Sequence, residues 1–256
     1  MHMAGPALPI ATITRVALLA TITGFLPRTA TASAQKSAPN TIPFVGCPAD
    51  GQMGPIAAPT TAGAIPKISA PASTQLAWYV SPHLAVLAPR GWHCFGLYGS
   101  NGNQIIVTPE PHDADDLFGP SAGLKGPAVQ LAAVSGGTSG RFDVARTIAR
   151  IFPAYQWFTR QVAQEGIEHS ADFPTGPYPT DILTVRSNTE VEFTTPANKN
   201  GLGTVSRLRR NQDPINGLAI LFPQQEMNLV EVFVRLPPNM AQLAPVIIAK
   251  VENGDL

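Results

Sequence analysis

The chain has little charge and no excess of either sign. Of its 256 residues only 13% are charged, and 17 basic residues balance 17 acidic ones. Nucleic-acid binding relies on surplus positive charge that displaces counterions from phosphates, so the composition excludes a general nucleic-acid-binding protein. Intrinsic disorder needs high net charge and little apolar content, whereas 44% of this chain is hydrophobic. The composition therefore predicts a folded, globular protein.

The sequence also lacks an apolar run of the roughly 18 residues that a membrane span requires. Its most apolar stretch, 16–26, follows Arg15 and is long enough only for the core of a signal peptide. The tripeptide that ends at Ala34 is Ala-Ser-Ala, the small-x-small pattern that signal peptidase cleaves. We therefore expect residues 1–34 to be a secretory signal, cleaved before Gln35. The expected location is periplasmic or extracellular, with no membrane segment left after cleavage; the alternative for 16–26 is a buried core helix.

Cysteine is scarce, since Cys47 and Cys94 are the only two. A zinc site needs four ligands at short spacing, and only His93 adjoins either cysteine. A thiol nucleophile at Cys94 with His93 as its base is also disfavoured, because neighbouring residues on a strand point to opposite faces. In an oxidising compartment an isolated pair of cysteines usually forms a bridge. We therefore expect a disulfide between Cys47 and Cys94.

Proline, by contrast, is abundant, with 26 residues, about twice its usual share. Residues 35–72 combine it with Ala, Thr and Gly and show no period, which is typical of an extended segment. Residues 73–256 carry the helical and strand patterns and are expected to form one domain. The sequence thus predicts a signal peptide, a Pro/Ala-rich extended arm and a single globular domain.

The clearest local pattern is a hairpin, because an Asn-Gly pair lies between two strand-like runs, 92–98 and 104–108. Four apolar residues, Phe142, Ala145, Ala149 and Phe152, recur at helical period and predict a helix. A second helix is expected after Pro153, and a short helix at 74–80 and a terminal helix after 239 complete the set. Further strands are expected at 84–88, 128–134, 181–186, 190–194, 206–210, 218–222 and 229–236. This order predicts an α+β fold, with an antiparallel sheet and helices packed mainly on one face.

Two short runs resemble those of exported bacterial proteins of unknown function. They are Gly-Cys-Pro-Ala-Asp-Gly-Gln at 46–52 and Ala-Pro-Arg-Gly-Trp-His-Cys at 88–94. The family has no assigned activity, so this resemblance implies only the compartment. Residues 84–253 are also similar in outline to the PsbP-like α/β sandwich, from which the arm and the expected disulfide depart. A shared fold does not by itself carry a function.

Two loops contain residue types that occur in active or metal sites. Ser121 lies in Gly-Pro-Ser-Ala-Gly, which matches the nucleophile-elbow string, but no strand precedes it and no helix follows. His112, Asp113, Asp115 and Asp116 form an acidic loop with Glu110. Carboxylates on a loop can hold a hard cation, but the Gly and distal Glu of an EF-hand are missing. The alternative is a solvated loop, or caps for a short turn at Leu117. Neither loop is assigned as a catalytic or metal site.

Two further features contain groups that could bind an anion. The turn 136–140 is rich in Gly and precedes a helix, where free N–H groups and Arg141 could bind a negative group; the alternative is a plain connection. Arg207, Arg209 and Arg210 form a basic cluster that is too small for nucleic acid and is expected to be a solvated face, with Glu190 or Glu192 as candidate partners. The sequence assigns no catalytic residue, metal ligand or cofactor. It favours a non-catalytic protein that binds a small ligand or a protein partner, with a hydrolase built from dispersed residues such as Ser121 or His112 as the alternative.

Overall fold

The computed structural model describes residues 42–118, 123–224 and 226–254. The expected signal peptide, its cleavage site at Ala34 and Gln35, and Ser121 lie outside these residues. The strands are β1 (Phe44–Gly46), β2 (Ala49–Gly51), β3 (Leu76–Val80), β4 (Ala85–Pro89), β5 (His93–Gly99), β6 (Gly102–Thr108), β7 (Ala128–Val134), β8 (Ile182–Ser187), β9 (Glu190–Thr195), β10 (Ile215–Pro223) and β11 (Met227–Arg235). The α-helices are α1 (Ala72–Gln75), α2 (Ala114–Phe118), α3 (Arg141–Ile151), α4 (Gln156–Gln164) and α5 (Ala244–Glu252).

The main sheet has eight strands in the order β2-β5-β6-β7-β11-β10-β9-β8. All its neighbours pair antiparallel except β2 and β5, which are parallel. The predicted hairpin is present as β5 and β6, with Ser100 and Asn101 as its turn and Gly102 at φ +133°. The α+β class is therefore confirmed, and the sheet is antiparallel only in part.

A second sheet, which the sequence analysis did not predict, has three strands in the order β1-β3-β4, and β1 pairs parallel with β3. The described part of the Pro-rich arm contributes β1 to this sheet and β2 to the main sheet. Cys47 lies between those two strands and forms a disulfide with Cys94 on β5, which confirms the expected bridge. The disulfide thus links the arm to the main sheet.

Both faces of the main sheet are covered, because alternate residues of its central strands are apolar on both sides. On β11, Val230, Val232 and Val234 pack with the second sheet and α5, whereas Leu229 and Phe233 pack with α3 and α4. The expectation of helices mainly on one face needs correction on this point. The face opposite α3 and α4 is covered by a β-sheet together with α5, so the fold has three layers.

Two predicted elements are wrong. Residues 74–80 were expected to be helical, but 76–80 form β3, whose residues 76–79 are fully buried. Trp78, Tyr79 and Val80 are strand-formers, and pairing with strands on both sides outweighs the short apolar spacing that suggested a helix. Residues 206–210 form no strand; only Leu208 makes an isolated bridge, to Leu124. No helix within the described ranges is long and apolar enough to cross a membrane.

Candidate functional site

A cavity of about 460 Å³, here called the α3 cavity, lies between the main sheet and helix α3. Residues of β6, β7 and β11 form its floor, and α3 with the segments 172–178 and 202–209 forms its walls. Among the described residues that line it, four are arginines and three carry a carboxyl group. The lining residues are Asn101, Gln104, Gln130, Ala132, Val134, Asp143, Arg146, Thr147, Arg150, Asp172, Pro174, Tyr178, Leu202, Val205, Ser206, Arg207, Arg209, Glu231 and Phe233.

Glu231 lies on the floor of the cavity because of the strand period. Val230 and Val232 point into the opposite core, so the residue between them must face α3. Its side chain lies on a central strand and is only 7% exposed. Carboxylates are rarely buried unless they are paired, so a carboxyl group here is exceptional for a core position.

The surroundings of Glu231 favour its neutral form. Burial raises the pKa of Glu231 to about 7; the hydroxyl of Thr147 lowers this pKa and the charge of Asp143 raises it. The Thr147 hydroxyl donates to the carboxyl oxygen Oε1 at 3.2 Å. A carboxyl group with a pKa near neutrality exists in both forms at physiological pH, as a hydrogen-bond donor and as an acceptor.

Helix α3 presents a polar stripe to the cavity, with Asp143, Arg146, Thr147 and Arg150 spaced at helical period. Arg146 bridges two carboxylates, Asp143 at 2.7 Å and Glu168 at 2.5 Å. Arg150 donates to a backbone carbonyl at 3.2 Å, and its guanidinium lies 4.1 Å from the ring centre of Tyr178. The wall on this side therefore holds its arginines in fixed positions.

A relay of amides crosses the floor. The backbone N–H of Arg207 donates to Oε1 of Gln130 at 2.9 Å, and Nε2 of Gln130 donates to Oε1 of Gln104 at 3.3 Å. Gln130 is only 3% exposed. Because each amide oxygen in the relay accepts a bond, the relay ends on the NH₂ group of Gln104, a donor on the cavity floor.

Hydrogen bonds from Leu124 and Arg235 hold the backbone of the segment that carries Arg207 and Arg209. The N–H of Leu124 donates to the carbonyl of Arg207 at 2.7 Å, and the N–H of Arg209 donates to the carbonyl of Leu124 at 2.9 Å. Arg235, which is fully buried, donates to the carbonyls of Leu124, Gly126 and Arg209. The pKa of Arg207 is lowered by burial and by the nearby charge of Arg209, so this wall holds two like charges close together.

A second cavity of about 430 Å³ adjoins the first at the β5–β6 hairpin. The two cavities share Asn101, Gln104 and Arg207 in their linings. The second cavity is lined otherwise by residues 50–52 of the arm and by 97–102. The two cavities are therefore neighbours that share these three residues.

The acidic loop 110–116 is a helix cap. Asp113 Oδ1 accepts from the N–H of Asp116 at 3.0 Å, and Asp116 Oδ2 accepts from the N–H of Asp113 at 3.3 Å. His112 lies 3.6 Å from the same Asp116 carboxylate. This arrangement fits the capping alternative, and these residues are absent from the lining of the α3 cavity.

The glycine turn 136–140 also has a structural role. Arg141, expected to assist an anion, is paired with Glu165 at 2.7 Å, and the carboxylate of Glu226 lies against Gly137. In the basic cluster, Arg209 and Arg210 are exposed, as expected for a solvated face, whereas Arg207 is half-buried. Arg207 and Arg209 also line the α3 cavity, and Arg210 does not. Glu192 pairs with Arg186 instead, at 3.0 Å.

Glu231, Thr147 and the amide relay were not identified from the sequence, because their significance depends on which strands and helix face one another. One signal for them in the sequence is that Gln104, Gln130 and Glu231 are long polar side chains that directly adjoin apolar residues of predicted strands. In the part of the chain that the structure describes, no three His, Cys, Asp or Glu side chains are grouped closely enough to hold a metal ion. Comparison with protein-family models, curated proteins and solved structures found no significant match.

Proposed function

We propose that this is an exported, non-catalytic protein that binds a small polar ligand in the α3 cavity. The observation that carries this proposal is the buried carboxyl group of Glu231 on the floor of a cavity lined with arginines and amides. Burial of such a group costs free energy, and a polar cavity with a titratable group of shifted pKa is the usual starting point for a binding-site hypothesis. The volume of about 460 Å³ falls in the range of small-molecule sites.

The proposal of export is based on the expected signal peptide, on the resemblance of two runs to exported proteins, and on the disulfide. Disulfides persist in oxidising compartments and are rare in the cytosol. The test is the intact mass of the protein recovered from the periplasm or medium, with and without reductant. We expect a chain that begins at Gln35 and a gain of two hydrogens on reduction. A chain that retains the leader and remains in the cytosol would contradict this part.

The binding proposal is tested by screening the purified protein against small polar compounds and blocking the cavity mouth. Val205 lines the cavity and is 56% exposed, so Val205→Trp places an indole at the mouth without displacing core side chains. Val185→Trp, at a 68% exposed position on β8, is the matched control. We expect compounds that bind the wild type to bind the control equally and to lose affinity for Val205→Trp. Equal affinity for both variants would place the ligand elsewhere.

A second candidate function is a hydrolase whose site is assembled from dispersed residues. The specific observation in its favour is the pKa of Glu231, about 7, which suits a general acid or base at neutral pH. His112, one of the residues expected for this alternative, does not line the cavity, and Ser121 is outside the described residues. Turnover of chromogenic esters, phosphoesters or glycosides that is abolished by Glu231→Gln, but not by Glu226→Gln, would favour the enzyme over the binding protein.

A further inference from the structure

The floor of the α3 cavity offers hydrogen-bonding groups, whereas the charged side chains around it are engaged within the protein or exposed to water. We propose, on the basis of the proposed binding function, that the α3 cavity takes an uncharged ligand with several hydroxyl groups, a sugar or a related polyol. Such a ligand lies over Ala132 and bonds to Gln104 on one side and to Glu231 on the other. The evidence is the register of the floor strands, the hydrogen-bonding groups that flank Ala132, and the engagement of the charges.

The first line of evidence is the register of three neighbouring strands. Gln104 on β6 and Glu231 on β11 both pair with Ala132 on β7, so the three residues form one row across the sheet. All three line the cavity. Two strand spacings place the Cα atoms of Gln104 and Glu231 roughly 10 Å apart. Because Ala132 has only a methyl side chain, it leaves space for a ligand between two long polar side chains.

The second line of evidence is the hydrogen-bonding capacity at the two ends of this row. Gln104 Oε1 accepts from Nε2 of Gln130, and the NH₂ group of Gln104 is a donor. At the other end, Glu231 accepts from the hydroxyl of Thr147 at 3.2 Å, and burial raises the pKa of Glu231 to about 7. Its carboxyl group therefore both donates and accepts near neutral pH. Hydroxyl groups match this row because each of them can also donate and accept.

The third line of evidence is the engagement of the charged side chains, first on α3. Arg146 lies between two carboxylates, Asp143 at 2.7 Å and Glu168 at 2.5 Å. The guanidinium group of Arg150 donates to the carbonyl of Gly176 at 3.2 Å. Both arginines on this wall are therefore held by groups of the protein itself.

The charged groups on the other walls are engaged or exposed. The guanidinium group of Arg207 donates to the carbonyl of Leu117 at 2.6 Å, and the carboxylate of Asp172 accepts from the N–H of His169 at 2.9 Å. Arg209 and Asp172 are exposed, so water and salt screen their charges. An ionic ligand would lose its hydration here without a dedicated buried charge to replace it, whereas hydroxyl groups need only hydrogen-bond partners.

The neutral probes are the methyl glycosides of glucose, galactose and mannose. Each is compared with its uronate, which carries a carboxylate on the terminal carbon, and with its amino derivative, which carries an ammonium group there. Cyclohexylmethanol serves as a ring with a single hydroxyl. Binding to the purified protein is measured by isothermal titration calorimetry at up to about 10 mM probe. We expect at least one neutral glycoside to bind, and to bind about tenfold more tightly than its two charged counterparts and cyclohexylmethanol.

The variants test the two ends of the row. Gln104→Met keeps the length of the side chain and removes its amide, so it should weaken binding of the neutral glycoside about fivefold, the usual cost of one hydrogen bond. Gln161→Met, at an exposed position on α4 outside the cavity lining, is the matched control and should change the affinity less than about twofold. Glu231→Gln, which keeps a donor and an acceptor, should bind more tightly than Glu231→Met. Equal affinities for Gln104→Met and Gln161→Met, or for the two Glu231 variants, would overturn the role of this row.

Val205→Trp separates failure of this inference from failure of the proposed function. If a uronate or an amino derivative binds more tightly than the neutral glycoside, and Val205→Trp weakens that binding, the cavity is a binding site but its ligand is charged. If cyclohexylmethanol binds as tightly as the glycosides, or if no neutral glycoside binds while another screened compound does so in a way that depends on Val205, the inference is wrong and the proposed function stands. If no probe or screened compound binds in a way that depends on Val205, both are wrong.

Discussion

Glu231→Gln should change how the stability of the protein depends on pH. In the folded protein, burial raises the pKa of Glu231 from the ordinary 4.5 to about 7, so between these values the folded state holds a proton that the unfolded state has lost. The free energy of unfolding therefore falls as the pH rises through this window and levels off above it. A pKa difference of this size corresponds to about 3 kcal/mol. Glutamine is similar in shape, remains neutral and lacks this dependence.

The assay is urea denaturation of wild type and variant at several values between about pH 4.5 and about pH 8. We expect similar stabilities at the acidic end, where both side chains are neutral, and a variant that is about 3 kcal/mol more stable at the alkaline end. Glu226→Gln, at an exposed carboxylate just before β11, controls for the loss of one charge. Parallel pH curves for wild type and Glu231→Gln would refute the claim that a buried carboxyl titrates in the cavity.

Three further predictions concern the stability of the fold and the pKa of Glu231. The double variant Cys47→Ala, Cys94→Ala should have a free energy of unfolding lower by up to about 4 kcal/mol, because the bridge closes a loop with a separation of 47 residues. Urea denaturation measures this, and unchanged stability would contradict a stabilising role of the disulfide. Gly217→Ala should lower the free energy of unfolding by more than about 2 kcal/mol, because a Cβ there would lie 2.2 Å from the Phe193 ring and 2.4 Å from the Val232 carbonyl. An unchanged melting temperature would contradict this and show that the neighbouring strands can shift. Thr147→Val removes the hydroxyl that lowers the pKa of Glu231, so a carboxyl carbon NMR titration should place that pKa above the wild-type value, and a lower value would contradict the contact.

Much of the fold follows from local sequence pattern. The Asn-Gly turn predicted the β5–β6 hairpin, strand 128–134 coincides with β7, and the apolar spacing of residues 142–152 predicted α3, because in each case a single period dominates. The segment 76–80 was misread since its residues are buried on both sides, which removes the alternation that distinguishes a strand from a helix. The second sheet could not be predicted, because its parallel β1–β3 pair joins segments that are remote in sequence.

The candidate site was much less predictable than the fold. Glu231 appeared in the sequence as the polar half of an alternating strand, a pattern that normally indicates a solvent-facing residue. Only the packing of α3 across β7 and β11 turns that face into the floor of a cavity. The disulfide was predictable because only two cysteines were present, whereas a polar cavity depends on several elements that pack together from distant parts of the chain.

The most direct test of the central claim is an NMR titration of the isotope-labelled protein with a small polar compound that binds in the screen, followed in wild type, Val205→Trp and Val185→Trp. We predict shift changes concentrated at the side-chain amides of Gln104 and Gln130 and at the backbone of Thr147, Arg207 and Glu231. These changes should be lost in Val205→Trp and retained in Val185→Trp. Shift changes that map to other surfaces, or that persist when the mouth is blocked, would contradict the assignment of the α3 cavity as the ligand site.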